Sequence, residues 1–259
     1  MSVWHDRHGK GPPIALVHAG IADSRMWEPQ LRPFAKAHTV IRVDLPGFGK
    51  SPIETNPVSY RGSVTAALDA HDIERAAIVG TSLGGMTALD LAVDTPDRVT
   101  ALVLIGSGID DHDWADEMNE FDTAEAAAIE RGDLEAAVKL NLDLWVAGPR
   151  RSLDEVDPHV RELVGEMQMD AFKQHWPDDL RALKLDPPAS QRLGDIAVPA
   201  LVVTGDEDVT DIIRIGDRLA REIPDAERAT IGGAAHLPNL ERPHEFNRLV
   251  LGFLEEHGV

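Results

Sequence analysis

Five short, almost unbroken apolar runs punctuate the chain: Ile14–His18, Thr39–Val43, Ala76–Val79, Val99–Ile105 and Ala200–Thr204. A run with no polar alternation suits a strand covered on both faces, as in a parallel sheet, better than a half-exposed antiparallel strand. Stretches of helical spacing stand between the runs, near 24–36, 58–72, 83–95 and 211–222. A last one, near 242–256, has Pro243 placed for its first turn. Strand and helix alternating in this way predict a parallel sheet with right-handed crossovers.

The alternation stops between about 110 and 190. Leu134, Val138, Leu142 and Trp145 recur at helical spacing, as do Val160, Leu163, Val164 and Met167. This predicts a core domain of residues 1–110 and 190–259 with a helical insertion at 111–189, entered through Gly106–Asp111 and left through Pro187–Pro188. The insertion carries Trp114, Trp145, Trp176, Met118, Met167 and Met169, and packing within it accounts for most of them. Trp114, Trp145 and Met167, with Ile21 and Met26 of the core, are the candidates for an apolar substrate pocket.

A chain of 259 residues, 43% hydrophobic and 27% charged, fits one large folded domain with an insertion. The net charge of −20 argues against duplex nucleic acid and anionic membrane as partners, since both call for clustered Lys and Arg. The absence of cysteine excludes disulfides, thiolate metal sites and a cysteine nucleophile. MSVWHDRHGK holds no apolar stretch like a signal peptide, and no run is long enough to span a bilayer, so a cytoplasmic protein is expected.

Gly80-Thr81-Ser82-Leu83-Gly84 follows one apolar run and precedes the helical run MTALDLAV. In that setting G-x-S-x-G is a nucleophile elbow, a sharp turn that lifts the Ser82 hydroxyl above the strand end at a helix N-terminus. A serine hydroxyl is a weak nucleophile until a base takes its proton. His236, in the loop Gly232-Gly233-Ala234-Ala235-His236 after a candidate strand Arg228–Ile231, is the best placed. His244 falls within the last helix and His257 in the tail. The imidazole needs a carboxylate in turn, and Gly205-Asp206-Glu207-Asp208 ends a strand with three. Asp208 is the first choice, Asp206 and Asp211 the local substitutes, and Asp110 or Asp111 the distant rivals. The Leu83 N–H, and a second N–H from Gly20 (or Ile21) in the loop after Ile14–His18, are expected to form an oxyanion hole.

In these segments the chain resembles the serine-nucleophile branch of the α/β-hydrolase superfamily. The resemblance runs through V-H-A-G at 17–20, D-L-P-G-F-G-K-S at 44–51, G-T-S-L-G-G at 80–85, G-D-E-D at 205–208 and A-A-H-L-P-N-L-E-R-P at 234–243. Ala19 stands where glycine is usual. The family implies a doubly wound, mostly parallel sheet of about eight strands under a helical cap. With only Ser2–His5 ahead of IALVH, seven are expected here. A-D-S-R-M-W-E-P-Q at 22–30 and the segment around His236 are similar to 3-oxoadipate enol-lactonases and small esterases.

Two tempting motifs fail. Gly49-Lys50-Ser51 lacks the glycine of a P-loop, since Asp44 stands there. His5 and His8 have no third ligand nearby in sequence, so no metal is expected. The acidic run Asp110, Asp111, Asp113, Asp116, Glu117, Glu120, Asp122, Glu125 reads as a solvated cap face, or as a field that disfavours anionic substrates. The expected activity is cofactor-free hydrolysis of a small ester or lactone. The alternatives are carbon–carbon hydrolysis of a vinylogous diketone, with Arg131, Lys139 and Arg181 as candidate cap contacts, and a non-catalytic ligand receptor on the same scaffold.

Overall fold

The computed structural model describes residues 3–174 and 176–259; Met1, Ser2 and His175 lie outside the described residues. Seven strands form one sheet: β1 (His5–Gly9), β2 (Pro13–Val17), β3 (Thr39–Val43), β4 (Ala76–Thr81), β5 (Val99–Ile105), β6 (Ala200–Gly205) and β7 (Ala226–Ile231). Their order is β1-β3-β2-β4-β5-β6-β7. β1 pairs antiparallel with β3, from His5 opposite Val43 to Gly9 opposite Thr39, and every other pairing is parallel. The sheet is that of an α/β-hydrolase fold. Its first strand, HDRHG, is a polar edge strand with no apolar run to announce it.

The helices are α1 (Glu28–Phe34), α2 (Tyr60–Asp69), α3 (Leu83–Asp94), α4 (Asp116–Glu130), α5 (Leu134–Asn141), α6 (Pro158–Lys173), α7 (Thr210–Glu222), α8 (Pro238–Glu241) and α9 (Pro243–Glu256). The central strands are buried on both faces, and their alternate residues feed two cores. Ala15 and Val17 of β2 join Ile78 of β4 in one core, with Val64 of α2, Leu89 of α3 and Ile215 of α7. Ile14 and Leu16 join Val79 in the other, with Phe34 of α1 and Phe246 of α9. Burying a Leu or Phe side chain contributes about 1.5–3 kcal/mol, so double-sided strands are strongly held in register.

The crossover from β5 to β6 carries α4, α5 and α6, joined by a π-helical turn over Leu142–Ala147 and a 3₁₀ turn over Leu153–Glu155. The chain returns beside Val58, whose N–H donates to the Arg181 carbonyl at 2.8 Å. No helix among the described residues is long and apolar enough to cross a membrane.

Candidate active site

Ser82 lies between the end of β4 and the start of α3, at φ 53° and ψ −109°. That left-handed conformation strains a non-glycine residue by about 1–3 kcal/mol, so the surroundings must hold it. The Ser82 N–H donates to the Ile105 carbonyl of β5 at 2.8 Å, and the Ser82 carbonyl accepts from the Met86 N–H at 3.0 Å. The flanking glycines permit the close packing. A methyl group on Gly80 would lie 2.2 Å from the Gly84 carbonyl oxygen, and one on Gly84 would lie 2.2 Å from that of Val17.

Asp208 and His236 meet across the ends of β6 and β7. His236 Nδ1 lies 2.9 Å from Asp208 Oδ2, and the residues are 1% and 0% exposed. Asp208 Oδ1 accepts from the Val209 N–H at 2.8 Å. A carboxylate only accepts, so Nδ1 carries the proton of a neutral ring and Nε2 keeps its lone pair.

The rival carboxylates all have other partners. Asp206 accepts from the Gly233 N–H at 2.6 Å, steadying the histidine loop. Asp211 accepts from the Ala115 N–H at 2.9 Å. Asp110 pairs with Lys184 and Asp111 with Arg218.

Two arginines just past the π-helical turn clasp the acid and histidine loops, and no sequence motif singled them out. Arg150 donates to the Asp208 carbonyl at 3.1 Å and to Glu207 Oε2 at 3.0 Å. Arg151 donates to the Gly233 carbonyl at 3.0 Å and pairs with Glu241 at 2.9 Å, while Glu241 accepts from the Ala235 N–H at 2.7 Å.

Leu83 is the first residue of α3, so its N–H has no carbonyl partner within the helix. Gly20 faces it: a methyl built on Gly20 would sit 3.8 Å from Leu83 Cβ. The loop carrying Gly20 is anchored by His18. Its Nδ1–H donates to the Ala19 carbonyl at 2.8 Å, and its Nε2 accepts from the Leu45 N–H at 2.9 Å. Burial pushes the His18 imidazole pKa down, against the raising influence of Asp44, and keeps the ring neutral in that tautomer. The Asp44 motif is structural as well: its carboxylate accepts from the Ser24 and Lys50 N–H groups at 2.8 and 2.9 Å.

A cavity of about 510 Å³ opens over Ser82 and His236, with Gly20, Ile21 and Phe48 on the core side. Phe121, Ile129, Trp145, Phe172 and Trp176 form its apolar cap wall, and Glu125, Asn141 and Gln168 its polar one. Trp145 lies against His236, with ring centroids 4.5 Å apart, and its carbonyl accepts from the His236 N–H at 3.2 Å. The π-helical turn thus delivers Trp145 to the imidazole, a use such turns often have.

Of the expected pocket residues, Ile21 and Trp145 line this cavity, and Met26, Met167 and Trp114 do not. Met26 is wholly buried, its sulfur 3.5 Å from the Ala19 N–H. The Met167 sulfur accepts from the Asp23 N–H at 3.4 Å, where cap meets core. Trp114 packs edge-on against His112. Helical periodicity marks a buried face without saying what buries it. Glu125 likewise departs from the solvated face expected of the acidic run. Arg131, Lys139 and Arg181 are absent from the wall.

The family model for the alpha/beta hydrolase fold matches residues 12–131. A protein of Azorhizobium caulinodans named as a candidate carbamate hydrolase, RutD, is 29% identical over 98% of this chain and 95% of its own. 3-Oxoadipate enol-lactonase 1 of Acinetobacter baylyi is 27% identical over 98% and 93%. Among solved structures, Est816, described as an N-acyl homoserine lactone degrading enzyme, superposes with a TM-score of 0.76 at 29% identity, covering 97% of this chain and 96% of its own. Matched segment, strand order and near full-length relatives mark this chain as a hydrolytic enzyme with the α/β-hydrolase fold.

Proposed function

We propose that the chain is a cofactor-free serine hydrolase of small carboxylic esters or lactones. The observation that carries this reading is the buried Asp208–His236 pair bordering the same cavity as the strained Ser82. His236 Nε2 takes the Ser82 proton as Oγ attacks the substrate carbonyl carbon. The oxyanion that forms is held by the Leu83 and Gly20 N–H groups, where each donor is worth about 10²–10³ in turnover. Asp208 holds the imidazole tautomer and stabilises the imidazolium. Collapse of the tetrahedral adduct breaks the bond to the alkoxy oxygen, which leaves with the proton from His236. A water that gives its proton to His236 then attacks the acyl-enzyme, and Ser82 recovers its proton as the acid departs. For a lactone the leaving oxygen remains tethered to the acyl group.

The test is covalent labelling with a fluorophosphonate, followed by a panel of p-nitrophenyl esters, lactones and enol-lactones. Labelling of the wild type, none of Ser82→Ala, and a fall in turnover on the order of 10⁶ in that variant are expected. Wild-type turnover in Ser82→Ala would reject the assignment. Cleavage of dienoate ketones with no ester or lactone hydrolysed would replace it with carbon–carbon hydrolysis. Stoichiometric ligand capture without turnover would replace it with a receptor.

A further inference from the structure

The polar wall of the cavity is assembled from three helices. Glu125 comes from α4, Asn141 from α5 and Gln168 from α6. Asn141 and Gln168 are 2% and 5% exposed. The Asn141 amide is committed: Nδ2 donates to Glu125 Oε1 at 2.5 Å and to the Ala137 carbonyl at 3.0 Å. Gln168 is not. Its Oε1 is sealed from solvent and has no hydrogen-bond partner among the described residues. Buried carboxamides are nearly always paired, and this one, on a wall of the cavity and without a partner for its oxygen, can turn about its terminal torsion to meet a ligand.

The charge around it narrows the ligand. No Lys or Arg lines the cavity among the described residues, and apart from His236 the ionisable group there is the Glu125 carboxyl. A substrate carboxylate would meet that carboxyl and an aromatic wall with no cation to pair with. A carboxamide side chain offers one acceptor and two donors, on a terminal torsion that is roughly two-fold. Its complement is a neutral group carrying both an N–H and a C=O. Glu125 adds a second acceptor to the lining of the same cavity.

We propose that Gln168, with Glu125 held by Asn141, selects uncharged esters or lactones whose apolar acyl part carries a secondary amide, the amide pairing with Gln168. The ester or lactone half of this statement rests on the proposed role of Ser82. The amide half is tested by binding alone, in Ser82→Ala protein that leaves the ligand intact.

Titration calorimetry would use three probes: N-octanoylglycine methyl ester, methyl 4-oxoundecanoate (its methylene analogue, lacking the N–H) and monomethyl sebacate, which is anionic. The amide ester is expected to bind roughly tenfold tighter than the ketone, and the sebacate weaker than both. Adding Gln168→Met, similar in volume, should bring the two neutral probes to within about twofold, with the melting temperature reporting the fold. Equal binding of amide and ketone, an amide advantage that survives Gln168→Met, or tightest binding of the sebacate would overturn the proposal. If Ser82→Ala ranks the probes as expected while the wild type hydrolyses no ester, the recognition site stands and the hydrolytic reading falls.

Discussion

Asp208→Asn tests the site with the smallest change of shape. The side chains are isosteric, and Asp208 Oδ1 already accepts from the Val209 N–H at 2.8 Å. The introduced carboxamide must keep its oxygen there, because an NH₂ group facing that N–H would set two donors against each other. The NH₂ therefore lies at the former Oδ2 position, 2.9 Å from His236 Nδ1, and donates to it. Nδ1 must then be the acceptor, and the proton of the neutral ring moves to Nε2. The nitrogen proposed to take the Ser82 proton has then lost its lone pair.

Substitution of this kind costs about 10⁴ in turnover where the acid sets the tautomer, equivalent to about 5.5 kcal/mol of transition-state stabilisation. None of the four rival carboxylates is free to take over, since Asp206, Asp211, Asp110 and Asp111 all have partners of their own. The assay is kcat/KM on a short p-nitrophenyl ester at neutral pH, beside a melting curve. The loss should fall on kcat with the melting temperature nearly unchanged. A loss of less than about tenfold in the folded variant would refute the assignment of Asp208 as the orienting acid.

Gly84→Ala forces a methyl to within 2.2 Å of the Val17 carbonyl. Overpacking of about 1–3 kcal/mol should lower the melting temperature by several degrees and reduce turnover by disturbing the elbow; a shift within about a degree would contradict the packing. Asp90 offers a pH test, because burial, reinforced by the Asp110 charge, pushes its carboxyl up to about 6. An acid whose folded pKa is raised binds more protons folded than unfolded between about 4 and 6, so it weakens the fold as pH rises through that window. Asp90→Asn should therefore raise the melting temperature by about 2–4 °C at pH 8, a figure reduced for the solvent that reaches the group, and leave it nearly unchanged at pH 4. Equal effects at both pH values would show that the carboxyl is unperturbed.

The parts of the molecule that could be read from the chain are those whose physics is local. Thr39–Val43 and Val99–Ile105 are strands to the residue, because a run apolar on both faces has nowhere to lie except between two layers. Ser82 sits at a strand-to-helix turn whose glycines are adjacent in sequence, and Asp208 and His236 follow the ends of strands in the same sheet. The edge strand β1 is unreadable for the converse reason: HDRHG buries little, and only its pairing with β3 makes it a strand.

The cap obeys a different rule. Its helices are legible from their spacing, but Val164 and Met167 of α6 turn to the core while Gln168 and Phe172 of the same helix turn to the cavity. A one-residue step along a helix rotates the side chain by about 100°, so Met167 and Gln168 serve different neighbours although both are buried. Apolar character at helical spacing made Met167 a pocket candidate; it is occupied at the interface with Asp23. Gln168 and Glu125 carry polar groups into an apolar setting, and that conflict becomes visible only when α4, α5 and α6 converge over Ser82. Chemistry set at strand ends is written in contiguous motifs, whereas the polar lining of the cavity is divided among three helices, and under the proposed recognition single substitutions there should alter which substrate is preferred before they alter the fold.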